Sequence, residues 1–309
     1  MAFWHGQCSF IAAASAHPDM RTISTKPTLA HAAEISGRQP DRRLRGGARR
    51  SIFEFRRTIG AGGRMALGIA AWLTFLGVWQ SVSMLGLANP TLFPSPARVF
   101  DAWVTLFAEK EFASDVIQSL KRIFISFGIA VAIALPLGVF MGAFTPVEGY
   151  LNALVSPFRY LPAPSFVPLL LMWLGTGDSQ KIALLVIGVV FFLITLFMDN
   201  TKSVPVELVE CSRTLGAGKM TVLRRVLLPA ALPLYVDTAR QMLAVSWTYL
   251  VIAEIVAATD GIGAMMMRAK RFVQVDSIMA GILTIGILGL LSDLLIRLIH
   301  KKAFKYLNE

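Results

Sequence analysis

The stretch Glu210-Cys211-Ser212-Arg213-Thr214-Leu215-Gly216, followed after nine intervening residues by Val226-Leu227-Leu228-Pro229, lies between two long apolar runs. It reads as a short helix, a glycine turn, a basic helix and a proline stop. A polar hairpin of this kind cannot sit in lipid, which neither hydrates its charges nor satisfies the backbone of its turn. It is expected to project into water and touch a partner.

The flanking runs set the fold class. The chain has 309 residues, of which 55% are hydrophobic and 16% charged, the composition of a membrane protein. Reading runs of about 20 apolar residues as spans predicts six of them, at about 65–87, 120–144, 151–174, 180–199, 232–257 and 278–299. The expected fold is therefore an all-α polytopic membrane protein, six transmembrane helices with a helix-turn-helix at about 201–230 between spans four and five. Its domain would cover 65–302, after a basic arm (1–64) and before a short tail (303–309). Six spans leave no room for a soluble catalytic domain.

A net charge of +11 could point to nucleic acid, but its distribution argues against that. Arg38, Arg42, Arg43, Arg45, Arg49, Arg50, Arg56, Arg57 and Arg64 precede the first span. Lys202, Arg213, Lys219, Arg224 and Arg225 crowd the hairpin, and Lys301, Lys302 and Lys305 follow the last span. With an even number of spans these regions share one side, which the positive-inside rule makes the cytoplasm. Both termini would be cytoplasmic and Cys8 and Cys211 reduced, with no disulfide. His5, His17, His31 and His300 form no spaced cluster, so no metal or haem site is expected. Residues 1–64 lack apolar periodicity and are expected to be a disordered arm, with Met20 and Met65 as alternative starts.

Within the spans, Gly138 and Gly142 form a Gly-xxx-Gly spacing that lets another helix approach closely. Pro157, Pro162, Pro164 and Pro168 interrupt span three, and irregular backbone at membrane depth must be covered by protein or a water-filled cavity. Between the first two spans, turn signals at Asn89-Pro90 and Pro94-Ser95-Pro96 precede a helical pattern from Arg98 to Glu109.

Glu210, Gly216, Leu228 and Pro229 stand as in the EAA loop of the inner-membrane permeases of bacterial ABC importers, with Cys211-Ser212 in place of the alanine pair and Val226 in place of an isoleucine. Over about 90–302 the chain resembles the nitrate, sulfonate and taurine permease group. The resemblance rests further on Leu92-Phe93-Pro94-Ser95-Pro96, Ser119-Leu120-Lys121-Arg122, Pro162-Ala163-Pro164, Trp173-Leu174-Gly175-Thr176-Gly177, Lys181, Ala253-Glu254, Gly261-Ile262-Gly263, and Asp293 with Arg297. It implies a permease homodimer in the bacterial inner membrane, two cytoplasmic ATP-binding subunits gripping the hairpins, and an external binding protein that delivers a small anion. Glu210, Cys211, Ser212, Leu215, Gly216, Ala217 and Pro229 would form the ATPase-coupling knob, where Glu210 can cap or pair with Arg213 or Arg224. Pro162, Pro164, Trp173 and Glu254 are the candidate pathway residues.

Gly216-Ala217-Gly218-Lys219 imitates a phosphate loop, but Arg213 stands where its first glycine belongs and Met220 where Ser or Thr belongs. No other catalytic motif appears, so an enzyme reading has little support; the resemblance implies a transport subunit that needs no cofactor and leaves ATP hydrolysis to a separate partner. Glu254 is expected near the external mouth, either in the pathway or paired with a base such as Arg268. Arg268, Lys270 and Arg271 could draw an anion toward that mouth or dock the binding protein. Asp293 and Arg297 read as an i,i+4 ion pair, and Arg159 as an arginine snorkelling to the cytoplasmic surface. The competing reading is a stand-alone secondary transporter or channel. Inverted repeats would mark it, and no convincing duplication is visible.

Overall fold

In the computed structural model, residues 60–86, 89–109, 112–256 and 259–304 are described, and all regular elements among them are helical. The arm before residue 60 and the last five residues lie outside them. Helix α1 (Ala61–Met84) is followed by α2 (Pro96–Glu109) and the 32-residue α3 (Phe112–Ala143). Next come α4 (Thr145–Phe158), a 3-10 turn (Ala163–Phe166), α5 (Val167–Leu174) and α6 (Asp178–Lys202). The hairpin comprises α7 (Val206–Thr214) and α8 (Lys219–Val222); a π turn (Leu223–Leu227) joins α8 to α9 (Leu228–Val256). The short α10 (Ile262–Arg271) and the long α11 (Val275–Ala303) complete the described chain.

The most extensive packing is between α3 and α6, and the sequence shows why. Ala130, Ala134, Gly138 and Gly142 recur every fourth residue of α3, a stripe of small side chains on one face. A Cβ at Gly138 would lie 2.6 Å from that of Phe197, and one at Gly142 would lie 2.7 Å from the carbonyl oxygen of Met198. The predicted close approach is therefore present, with α6 as the partner. Helix α9 also packs against α6, through Tyr235, whose hydroxyl is 2.7 Å from Thr201 Oγ1, and α11 closes against α9 and α2. Arg240 on α9 contacts Asp293 on α11 at 2.9 Å, and Asp293 also holds Arg297 at 2.7 Å. The expected i,i+4 pair is thus one half of an interhelical tie.

Four described helices are both long and apolar enough to cross a membrane: 62–84, 112–143, 178–202 and 275–303. The other two expected spans differ in kind. Helix α9 has 29 residues, but Asp237, Arg240 and Glu254 interrupt its apolar character. The segment at 151–174, whose prolines predicted an interrupted helix, lies in two short helices, α4 and α5, separated by a turn and a 3-10 segment. Each proline removes an amide donor and crowds the preceding turn, and three of the four fall within eight residues, at 157, 162 and 164.

Pro229 does not stop the second helix of the hairpin, as the sequence pattern predicted. It falls in the first turn of α9, directly after the π turn. A helix tolerates proline in its first turn because the missing amide has no necessary partner there. The amide of Leu228 reaches back five residues to the carbonyl of Leu223. The chain therefore runs from α8 into α9 without a break.

Candidate functional site

Helix α7 stands off the bundle with no buried residue. Its C-terminus closes in a Schellman arrangement: the Gly216 amide donates to the Arg213 carbonyl at 2.9 Å, and the Ala217 amide donates to the Ser212 carbonyl at 3.0 Å. This geometry places Gly216 at φ +82°, a backbone region that side chains resist. Leu215, beside it, is 83% exposed, and Val206, Leu208 and Met220 are also exposed. Glu210 and Cys211 lie on the exposed surface of α7, with Cys211 a free thiol, whereas Ser212 and Ala217 are half-buried. Glu210 makes no ion pair among the described residues, contrary to its expected pairing with Arg213 or Arg224; its carbonyl accepts a hydrogen bond from Thr214 Oγ1 at 2.9 Å. Behind the hairpin, Ala143, Phe144, Val209, Arg213, Val222 and Leu227 line a small cavity of about 160 Å³.

The opposite end of the bundle holds a buried ionic cluster that the sequence reading did not assemble. Arg122 on α3 is 1% exposed and Lys181 on α6 fully buried. Arg122 Nη1 donates to Glu254 Oε1 at 2.9 Å, and its Nε donates to Asp178 Oδ1 at 2.7 Å. Arg122 Nη2 lies 2.6 Å from Asp260 Oδ1 without the alignment of a hydrogen bond. Lys181 Nζ donates to Asp260 Oδ1 at 2.9 Å and to Thr259 Oγ1 at 2.8 Å. Glu254 also accepts from Ser119 Oγ at 2.7 Å and from the Gly263 amide at 2.9 Å. Gly261 (φ +99°) permits this closeness, since a Cβ there would meet the Glu254 carboxylate and lie 2.7 Å from Arg122 Nη1. Partial burial alone would raise the carboxyl of Asp260, but hydrogen bonds from Thr259, Lys181 and Arg122 outweigh it and hold it well below the usual carboxylate range.

Glu254 therefore pairs with Arg122 and not with Arg268, which pairs with Asp115. The signal that could have identified Arg122 was present: Asp115, Ser119, Arg122 and Ser126 recur at spacings of three and four, a polar stripe on one face of an apolar helix. The cluster contains Asp115, Asp178, Glu254 and Asp260 against Arg122, Lys181 and Arg268, a net charge of −1. Its cations are each paired with a carboxylate, and it joins α3, α6, α9 and α10 as a peg. Of the candidate pathway residues, Glu254 is locked inside this peg. Pro162, Pro164 and Trp173 lie instead on the broken α4–α5 segment, where Trp173 is 67% exposed.

Long apolar helices, an ionic cluster at one end of the bundle and a polar hairpin at the other describe a polytopic helical membrane protein. The model of the family described as "Binding-protein-dependent transport system inner membrane component" matches residues 134–305. The chain belongs to that family: it is the inner-membrane permease subunit of an ABC importer and is not itself catalytic. It is 31% identical over 251 residues to the taurine transport system permease protein of Escherichia coli (strain K12), covering 80% of this chain and 91% of that one. Two solved structures share the fold. A bacterial alginate ABC transporter, in complex with an alginate pentasaccharide-bound periplasmic protein, matches with a TM-score of 0.55 and 16% identity over 78% of this chain and 94% of that one. An inward-facing MetNI methionine ABC transporter matches with a TM-score of 0.52 and 24% identity over 61% and 95%.

Proposed function

We propose that this permease imports a small anion of the sulfonate, taurine or nitrate type by alternating access, with the α7–α8 hairpin as the docking knob for a separate ATP-binding subunit. The observation that carries the coupling role is the hairpin itself: an unburied α7, a Schellman turn fixed by Gly216, and exposed Leu215 at its tip. A channel or secondary transporter has no use for such a knob. Two copies of the chain, two ATP-binding subunits and an external binding protein make up the assembly, and α4–α5 with α9 complete six crossings. The hairpin and both termini then face the cytoplasm, in keeping with the basic residues around them. The peg faces the binding protein. The taurine permease relative supports a sulfonate-type solute, and Pro162, Pro164 and Trp173 lie along its path.

The test is reconstitution with the ATP-binding subunit and binding protein. Gly216→Pro and Glu210→Lys should leave the permease in the membrane while abolishing co-purification of the ATPase and solute-stimulated ATP hydrolysis. Normal coupling in both variants would sink the assignment.

A further inference from the structure

We propose that Arg159 is the residue that holds the anionic group of the solute midway through the membrane. This deepens the anion-import reading and rests on it for the identity of the solute. Between Glu148 and Asp178 the only charged residue is Arg159, and it caps the C-terminal end of α4 where span three breaks. Its height in the bundle is fixed by its neighbour, because the ring of Phe158 stacks on Phe191 of α6 with centroids 4.9 Å apart. Phe191 lies 13 residues from Asp178 and 11 from Lys202, the two ends of α6. At about 1.5 Å per residue these separations correspond to roughly 20 and 17 Å, so Arg159 is near mid-height. That position differs from the expected snorkelling to the surface, and its contacts are local.

Arg159 Nη2 donates to Ser156 Oγ at 3.1 Å, and its Cζ lies 6.0 Å from the centre of the Tyr160 ring. No carboxylate pairs with it among the described residues, and its buried Nε has no hydrogen-bond partner. Arg122, Lys181 and Arg240 are all matched by carboxylates. A cation at this depth is costly unless it faces protein or water. The backbone around it points the same way: Tyr160, Leu161 and Pro162 are exposed and non-helical, which lipid does not tolerate. The open side of the break must therefore face a water-filled path or the partner permease across it. A guanidinium there presents a planar fork of N–H donors that matches two oxygens of a sulfonate. A single cation without further ligands holds such a group and also lets it go.

The test has two arms. In a chain carrying Cys8→Ser and Cys211→Ser, a thiol is placed beside Arg159 by Ser156→Cys or, separately, by Tyr160→Cys. After reconstitution, its reaction with an anionic sulfonatoethyl methanethiosulfonate is compared with that of the cationic trimethylammonioethyl reagent. The anion-to-cation rate ratio should fall about tenfold or more on adding Arg159→Gln, from loss of a unit charge at close range in a low-dielectric site, and Arg159→Lys should preserve most of it. Thiols that react with neither reagent, or a ratio indifferent to Arg159→Gln, overturn the inference. In the second arm, Arg159→Gln should lower taurine uptake by at least about tenfold while ATP hydrolysis stimulated by the binding protein persists, and Arg159→Lys should restore part of the uptake. Unchanged uptake in Arg159→Gln overturns the inference, as does an equal collapse of uptake and ATP hydrolysis in both variants. A wild-type chain that carries no taurine would count against the sulfonate reading alone, and the thiol ratio would still decide the role of Arg159.

Discussion

Replacing Arg122 with methionine should damage the protein more than any other single change in the ionic peg. The arginine contacts three carboxylates, those of Glu254, Asp178 and Asp260. Without it, Asp260 keeps Lys181 but Glu254 and Asp178 lose their only cationic partner, and the group as a whole passes from −1 to −2 in charge. Asp178 and Asp260 are 56% and 41% exposed and can rehydrate, but Glu254 is 1% exposed and cannot. Removing one partner of a buried pair leaves an uncompensated charge and costs about 3–5 kcal/mol. At roughly 2–4 °C per kcal/mol for a chain of this size, the apparent melting point should fall by about 6–20 °C. Glu254→Gln keeps the shape of the side chain and leaves Arg122 with two carboxylates, so its cost should be nearer 1–2 kcal/mol. The assay heats the purified permease in detergent and follows the fraction that remains monodisperse by size-exclusion chromatography. The ranking is decisive: Arg122→Met must fall well below Glu254→Gln, and Arg122→Met combined with Glu254→Met must recover part of the loss. An Arg122→Met protein as stable as wild type, or a double variant whose losses simply add, would refute the peg.

Two further outcomes follow from the packing and the electrostatics. Gly142→Val should separate α3 from α6, because even its Cβ would lie 2.7 Å from a backbone carbonyl; the overpacking cost of about 1–3 kcal/mol or more should appear as reduced membrane levels, whereas Gly149→Ala, with open space around it, should be accepted. Asp260 is more acidic folded than unfolded, so below its ordinary value of 3.8 the unfolded chain holds more protons and stability rises with pH. The same detergent assay should show little dependence on this group from pH 5 to 8 and a loss below about pH 4 that Asp260→Asn removes; an unchanged acid limb in that variant would contradict the assignment.

The sequence made some of this architecture legible because the relevant signals are local. The apolar runs, the turn before α2 and the Gly138–Gly142 spacing each report a helix or a helix face within one stretch of chain. The hairpin was legible for the same reason, since its Schellman turn depends on Gly216 and its immediate neighbours. The ionic peg was not, because Arg122, Lys181, Glu254 and Asp260 lie on different elements and only the tertiary fold brings them together. The polar stripe on α3 shows that a partner must exist, but a stripe does not say which carboxylate supplies it. The failure at Pro229 was of another kind. The rule that proline ends a helix assumes a regular α register, and the π turn before it lets the next helix begin with proline in its first turn.

This unbroken passage through Pro229 ties the parts together. Helix α9 begins at the hairpin, since α8 enters it through the π turn, and ends at the peg, since Glu254 is in its last turn. Between them Arg240 fastens it to α11 through Asp293, and Tyr235 fastens it to α6 through Thr201. A displacement applied at α8 therefore cannot be absorbed by a loop; it must move α9 as a body or be taken up in the π turn or at Pro233, where α9 lacks a backbone hydrogen bond. The α4–α5 segment packs beside α6, and its 3-10 turn also touches α9; on the proposed import reading, a displaced α9 reaches the break around Arg159 through that packing.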